Sequence, residues 1–319
     1  MSLFRIAGVL AVIGVFMPLF VVAASALSGV GHRWPDVLAQ FVAPALAASF
    51  VLTLVLVIIG WRRLGLVGAG VSVLLLVAVW PQWATPRAAP EKDAPVIRLY
   101  SANLWARNQN VAAIEHSIQR ANADIVVLVE VGDAPGAHLD RILAGYPHVV
   151  RTERFDRPSG AALSLIASRF PLQWVGPWAP GVSSVAGVAE TPIGRMNIIG
   201  VHLTRPWPYQ YQWSQLNQVQ SLSTFRKGLD GPVVMAGDFN SISSARVGRR
   251  VQDQMDMIPA GGWPGTWPSA LPPMLGVTID QVWRSRELTF VSRRLGHPTG
   301  SDHRPVITEI SLAARRSGL

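Results

Sequence analysis

Three apolar runs fill the first 83 residues and limit what the chain can become. Residues 4–27 carry one charge, Arg5, and residues 37–60 and 64–80 carry none. The first two exceed the roughly 20 residues that a bilayer-spanning helix needs. The third is near the short end, and Trp61, Trp80 and Trp83 bracket it, as interfacial aromatics do. A cleaved signal peptide would have a shorter apolar core. Three spans are therefore expected, at about 4–27, 37–60 and 64–80. The short loop between the second and third holds Arg62 and Arg63, whereas the loop before it sets Arg33 against Asp36. By the positive-inside rule the second loop and the N-terminus face the cytoplasm, and everything after Trp83 lies outside. The expectation is a multi-pass protein of a bacterial inner membrane, its C-terminal part periplasmic. A third run that is only a buried or re-entrant hairpin partner would reverse the side.

Composition agrees that more than one soluble domain is present, with 50% hydrophobic and 15% charged residues. Of 28 basic and 19 acidic residues, five and one precede Pro90, leaving 23 and 18 beyond it and a net charge of about +5 there. That bias suits an anionic substrate or a lipid headgroup surface, and equally a solvated basic face. No protein partner is readable. The absence of cysteine excludes disulfides and thiolate metal sites, leaving oxygen and imidazole as ligands. Residues 84–95, rich in Pro and Ala, read as an extended linker. Residues 96–312 are long enough for one sizeable core, and 313–319 form a basic tail.

Within that domain, short apolar stretches end on polar groups. Val96 to Ala102 reads as a strand leading to Asn103, and Ile125 to Val129 as one leading to Glu130. Gly160 to Ser168 is another, and Arg195 to Leu203 runs through His202. Pro232 to Ala236 closes on Gly237-Asp238-Phe239-Asn240. Apolar residues at helical spacing mark a helix over Asn110 to Ala121, and Gln210 to Leu229 reads as a second. A Gly, Pro and Trp-rich loop over Gly261 to Pro273 precedes strands at Val277 to Trp283, Leu288 to Ser292 and Pro305 to Leu312. Two packed sheets with helices outside follow from this order.

Taken in order, Asn103-Leu104, Leu128-Val129-Glu130, Ser168-Arg169-Phe170-Pro171, His202-Leu203, Gly237-Asp238-Phe239-Asn240, Ile279-Asp280 and Ser301-Asp302-His303-Arg304-Pro305 resemble the endonuclease/exonuclease/phosphatase superfamily. The resemblance covers roughly residues 96–312. It implies a DNase I-like, four-layered α/β sandwich of two mainly antiparallel sheets flanked by helices. It also implies hydrolysis of a phosphoester with help from a divalent metal, Mg2+ or Mn2+. Glu130 offers that metal a hard oxygen, with Asn103 and Asp302 as further or water-mediated ligands. His303 would take a proton from water or polarise the phosphate, with Asp280 holding its other ring nitrogen. Asp238 would orient or deprotonate the attacking water, and Asn240 and His202 would donate to phosphate oxygens. Many relatives carry His after the Asp of Ile279-Asp280. Here Gln281 stands in that place, and it cannot carry a proton. Arg205, Trp207, Tyr209 and Tyr211 crowd the loop after His202, ready to stack on bases, meet a lipid interface or simply anchor the loop.

The expected activity is a membrane-tethered phosphodiesterase acting on nucleic acid or on a phospholipid headgroup. The alternative is a membrane protein whose sandwich is a non-catalytic binding module. The shared phosphate-handling residues do not separate the two substrates.

Overall fold

The computed structural model describes residues 3–152, 163–176, 179, 181–206, 208 and 212–314. Trp207, Tyr209, Tyr211, the first part of the strand expected from Gly160 and the tail from Arg315 onward lie outside these residues.

The apolar runs form helices α1 (Leu3–Leu27), α2 (Arg33–Ala39), α3 (Val42–Ile58) and α4 (Arg62–Trp83). Two helices, Ile6–Leu27 and Arg62–Trp83, are long and apolar enough to cross a membrane. The run expected as a span over 37–60 is bent by 57° between α2 and α3, a pair that passes the same test when taken together and so allows a third span. Pro44 supplies the reason. Its ring would clash with the Gln40 carbonyl four residues back if one helix ran through, while a proline in the first turn of α3 is tolerated. At 17 residues, α3 is about 26 Å long. It packs closely on α4, where a Cβ on Gly68 would stand 2.4 Å from Thr53 Oγ1. Small residues at such a crossing let two apolar helices approach. A buried Ser49–Ser72 hydroxyl pair at 2.8 Å joins them.

The second half is a sandwich. The first sheet has the order β11-β12-β1-β2-β4-β3, with β1 (Ile97–Asn103), β2 (Ile125–Val131), β3 (His148–Arg151), β4 (Leu163–Ser168), β11 (Leu288–Leu295) and β12 (Val306–Leu312). The second has the order β5-β6-β7-β8-β10-β9, with β5 (Leu172–Trp174), β6 (Ser183–Thr191), β7 (Gly194–His202), β8 (Val233–Asp238), β9 (Ile258–Pro259) and β10 (Asp280–Arg284). Pairing is antiparallel except at the centre of each sheet, where β1 lies parallel to β2 and β7 parallel to β8. A parallel pair needs a crossover, and α5 (Val111–Ala121) and α8 (Gln212–Lys227) provide them. The remaining helices are the short α6 (Asp133–Gly136) and α7 (Leu139–Ile142), and α9 (Arg246–Met255).

These central strands are buried on both faces, which is why they read as unbroken apolar runs. Leu99, Ile125 and Val127 meet Ile198, Val234 and Val282 between the sheets. Outside the first sheet, Ile114 and Ile118 of α5 pack on Tyr100, Val126 and Leu128. Outside the second, Val219 of α8 and Val251 of α9 join the cluster of Ile199, Val201 and Met235.

The two halves share a core. Ile242 and Ala245, just beyond β8, belong to the same buried cluster as Phe16, Ala23, Val42 and Val79 of the helices. Arg246 donates to Gly31 O at 2.8 Å, and Gln212 donates to the Asp36 carboxylate. The connecting residues 84–95 hold no helix and turn once at Lys92 and Asp93, and they are laid along the sandwich. Glu91 N donates to Leu312 O at 2.9 Å, Thr289 Oγ1 to Ala88 O at 2.6 Å and Arg284 Nη2 to Pro86 O at 3.1 Å.

Candidate active site

Because β1 and β2 run parallel, Asn103 and Glu130 emerge at the same end of the first sheet. Because β7 and β8 run parallel, His202 and Asp238 emerge together in the second, directly paired in register. Asp280, opposite Asp238 in the antiparallel β8–β10 pair, joins them. The two sheets face each other, so all five side chains meet at one edge of the sandwich.

Local backbone geometry aims these groups. Glu130 has φ +52°, where the register between β2 and β4 shifts past Leu128, and Asn240 has φ +47°. Non-glycine residues held in the left-handed region are costly and collect at functional sites. Gly237, at φ +141°, admits no other residue, since a Cβ there would stand 2.0 Å from Val201 O. That close approach is what sets Asp238 beside His202.

Asn103 Nδ2 bridges the site, donating to Glu130 Oε1 at 2.9 Å and to Asp238 Oδ2 at 3.0 Å. His202 Nε2 lies 3.2 Å from Glu130 Oε1 and 3.9 Å from Asp238 Oδ2. Asp238 Oδ1 accepts from Asn240 N at 2.7 Å, while Asn240 Nδ2 donates to Leu203 O at 2.9 Å. His303 Nδ1 is held by both Asp280 oxygens, at 3.1 and 2.9 Å, and its Nε2 points back to Asp238 Oδ2 at 3.9 Å. Asp302 stands at the rim, its side chain 48% exposed, and accepts from Trp267 Nε1 at 3.2 Å.

The structure therefore brings together seven of the eight residues expected from sequence and leaves Asp302 beside them. Asn103 presents its amide nitrogen to the two carboxylates, and its oxygen accepts from Trp105 N at 2.9 Å. Gln281 is buried and turned towards Ser241 O, to which it donates, and it does not line the cleft. What sequence reading missed is the wall. A cleft of about 540 Å³ opens onto Glu130, Asp238, Asn240, Asp302 and His303, and Gln40 and Phe41, at the α2–α3 bend, line it together with Trp105, Arg107 and Trp267. Gln40 Nε2 reaches Asn240 O at 3.4 Å. Nothing in the sequence near Gln40 signals a contact two hundred residues away.

Charge is unevenly distributed among the acids. Burial pushes Asp238 up to about 6, against the pull of His303. Burial works against the charged ring of His303, but its ion pair and hydrogen bond with Asp280 prevail and raise it to about 10, so it is an imidazolium at neutral pH. Glu130 is also opposed by burial, yet His202, Asn103 and the Ala106 amide hold it below the usual carboxylate range. An ionised Glu130 is the hard oxygen donor that a divalent cation of the Mg2+ type takes. Ligand atoms of Glu130, His202 and Asp238 lie within 4.8 Å of one another, as do those of Asp238, Asp280 and His303. The donor set fits such an ion: two carboxylates converge with an imidazole, and the ring of His303 is held on Asp280 with its Nε2 3.9 Å from Asp238 Oδ2.

Residues 100–303 match the model of the endonuclease/exonuclease/phosphatase family. Solved structures agree on the fold. An endonuclease/exonuclease/phosphatase from Beutenbergia cavernae is 20% identical, with a TM-score of 0.54, over 68% of this chain and 72% of that one. A family protein from Bacteroides thetaiotaomicron is 15% identical, with a TM-score of 0.53, over 68% and 98%. A humanised D. rerio TDP2 is 14% identical, with a TM-score of 0.52, over 68% and 99%. No curated protein matches significantly. With the ordered strand-end residues gathered at one edge of the sandwich and the family model spanning all of them, the chain belongs to the endonuclease/exonuclease/phosphatase family.

Proposed function

We propose that the protein is a membrane-embedded, divalent-metal-dependent phosphodiesterase that hydrolyses its substrate by direct attack of water. The observation that carries this is the convergence of Glu130, Asn103, His202, Asp238 and the Asp280–His303 pair in one cleft.

Glu130 would be the principal protein ligand for Mg2+ or Mn2+, with Asp238, Asn103 and, through water, Asp302 contributing. The metal supplies Lewis-acid neutralisation of the phosphate's charge. Asp238, ionised above about pH 6, orients the attacking water and accepts its proton. The water oxygen forms the new bond to phosphorus as the bond to the leaving ester oxygen breaks, and that oxygen is protonated from solvent. His303 stays cationic on its Asp280 partner and donates from Nε2 to a phosphate oxygen as charge develops. Asn240 fixes the Asp238 carboxylate through its backbone amide, and His202 donates from beside Glu130.

Of the two substrate classes, a membrane phospholipid is favoured over nucleic acid by the cleft wall. Gln40 and Phe41 sit where the apolar α3 begins, so the cleft opens next to the membrane face. α3 ends and α4 begins at the opposite end of the helices, at Arg62-Arg63. The positive-inside rule then sets the sandwich outside the cytoplasm. The test uses the full chain in mild detergent with Mg2+, offered DNA, RNA, phospholipid vesicles and bis(p-nitrophenyl) phosphate. Hydrolysis of vesicle phospholipid that Glu130→Gln abolishes is the expected result. Inertness of the folded, metal-loaded protein towards all four would leave the sandwich as a binding module.

A further inference from the structure

A second cavity, separate from the catalytic cleft, opens between α3 and α4 where they meet the sandwich. It holds about 880 Å³ and is walled by Ala43, Leu46, Ala47 and Phe50 of α3 and by Ala69, Val73 and Leu76 of α4. The few hydroxyls on this wall are spent within the helices. Thr53 Oγ1 donates to Ser49 O at 2.7 Å, and Ser72 Oγ lies 2.9 Å from Gly68 O. A cavity with such a lining stays dry and takes apolar matter.

Its sandwich end has the opposite character. Arg87, Arg293, Trp83 and Trp263 close it. Arg293 gives one nitrogen to Pro264 O at 3.1 Å, but its Nη2 is buried with no hydrogen-bond partner, and so is the indole Nε1 of Trp83. Arg87 is exposed and makes no ion pair among the described residues. Burial lowers Arg293 to about 10, which still leaves it charged at neutral pH. A buried guanidinium nitrogen without a partner costs free energy that only an acceptor restores. One buried guanidinium nitrogen of Arg293, whose charge is also drawn by Asp280, and the Trp83 indole N–H thus lack a hydrogen-bond partner beside the exposed Arg87, at the head of an apolar slot between α3 and α4.

We infer that this cavity is a binding site for an anionic phospholipid, with an acyl chain between α3 and α4 and the phosphate between Arg87, Arg293 and Trp83. Arginine's planar fork suits phosphate oxygens, and an apolar slot ending in cations is complementary to a lipid's tail and head and to neither part alone. The site shares no lining residue with the catalytic cleft, so its occupant is a bound lipid and not the hydrolysed one. The inference rests on the membrane embedding proposed above and is independent of the hydrolytic activity.

The test is native mass spectrometry of the full chain in mild detergent, titrated with dioleoyl phosphatidylglycerol or dioleoyl phosphatidylcholine. We expect a single phosphatidylglycerol adduct, retained at least tenfold over phosphatidylcholine. Arg87→Gln, a surface change that leaves packing alone, should lower that preference severalfold. Arg87→Gln with Arg293→Gln should bring it to the phosphatidylcholine level, and Ala47→Phe, which fills the slot, should remove the adduct of either lipid. The thermal midpoint gives a second readout, rising with phosphatidylglycerol in the parent and not in Ala47→Phe. Equal retention of the two lipids, or an adduct unchanged in both Arg87→Gln and Ala47→Phe, would overturn the site. Extraction of the chain from membranes by alkaline carbonate without detergent would overturn the embedding itself.

Discussion

Replacing Asp280 by Asn tests the catalytic reading most directly, because the structure assigns that carboxylate one task. It holds His303 Nδ1 at 2.9 and 3.1 Å and keeps the ring protonated up to about pH 10 although burial opposes the charge. In Asp280→Asn the shape persists, the burial persists, and the charge that outweighed it is gone. The ring then falls towards its ordinary value of 6.5, with Asp238 and Asp302 still pulling against burial. At that value about a tenth of the molecules would keep the imidazolium at pH 7.5. Loss of the ring orientation that the paired carboxylate oxygens fix adds another factor of about ten, so kcat should drop roughly a hundredfold or more. The sign of the pH effect follows. The protonated fraction grows as pH falls, so the deficit relative to the parent narrows from pH 8 towards pH 6. Below that, loss of the Asp238 carboxylate limits both proteins. The assay is kcat on bis(p-nitrophenyl) phosphate across this range, with the His303 ring titration followed by NMR. Since groups acting as a unit are not additive, Asp280→Asn with His303→Ala should be little worse than His303→Ala alone. A deficit constant across pH, or losses that multiply in the double variant, would refute the pairing as the source of activity.

Glu130→Gln removes the anionic metal ligand without changing size, and kcat should fall by orders of magnitude while the thermal midpoint holds. EDTA should have the same effect on the parent, and full activity after metal stripping would count against a metal at this carboxylate. Gly237→Ala places a Cβ 2.0 Å from Val201 O and should cost more than about 3 kcal/mol, read as a large fall in thermal midpoint or loss of folded protein. An unchanged midpoint would show that the β7–β8 approach is not what it is described to be. A phosphatase reporter joined after Leu319 should be active outside the cytoplasm, and a cytoplasm-only reporter at the same place silent. The reverse pattern would invert the orientation drawn from Arg62 and Arg63.

The site was legible because buried strands in this fold are apolar up to their ends. In Val126-Val127-Leu128-Val129-Glu130 and Val233-Val234-Met235-Ala236-Gly237-Asp238 the first charged residue is also the one that faces the cleft, so polarity alone marks it. Two parallel pairs then gather the ends, which no single strand foretells. Other elements left fainter traces. β6, Ser183–Thr191, is built from Ser, Ala, Gly and Val, too weak an apolar signal to stand out. α9 carries Val247, Val251 and Met255 at helical spacing, a pattern present in the sequence but diluted by charged neighbours. The bend between α2 and α3 had its cause in plain view in Pro44, yet hydropathy integrates over a window and does not register a blocked carbonyl. The wall formed by Gln40 and Phe41 had no local sign, because a contact between distant segments is a property of packing.

That wall changes what the word anchor means for this protein. Gln40 and Phe41 face the cleft, Ile242 and Ala245 lie in the core of the helices, and residues 84–95 are bound along β11 and β12. A cut in the connecting segment would therefore not free a working enzyme. It would strip one side from the cleft and lay apolar side chains bare to water. If the helices are embedded as proposed, release from the bilayer and loss of activity would be one event, and the sandwich could not be shed to act at a distance. On that reading its reach would be limited to what the membrane carries to it.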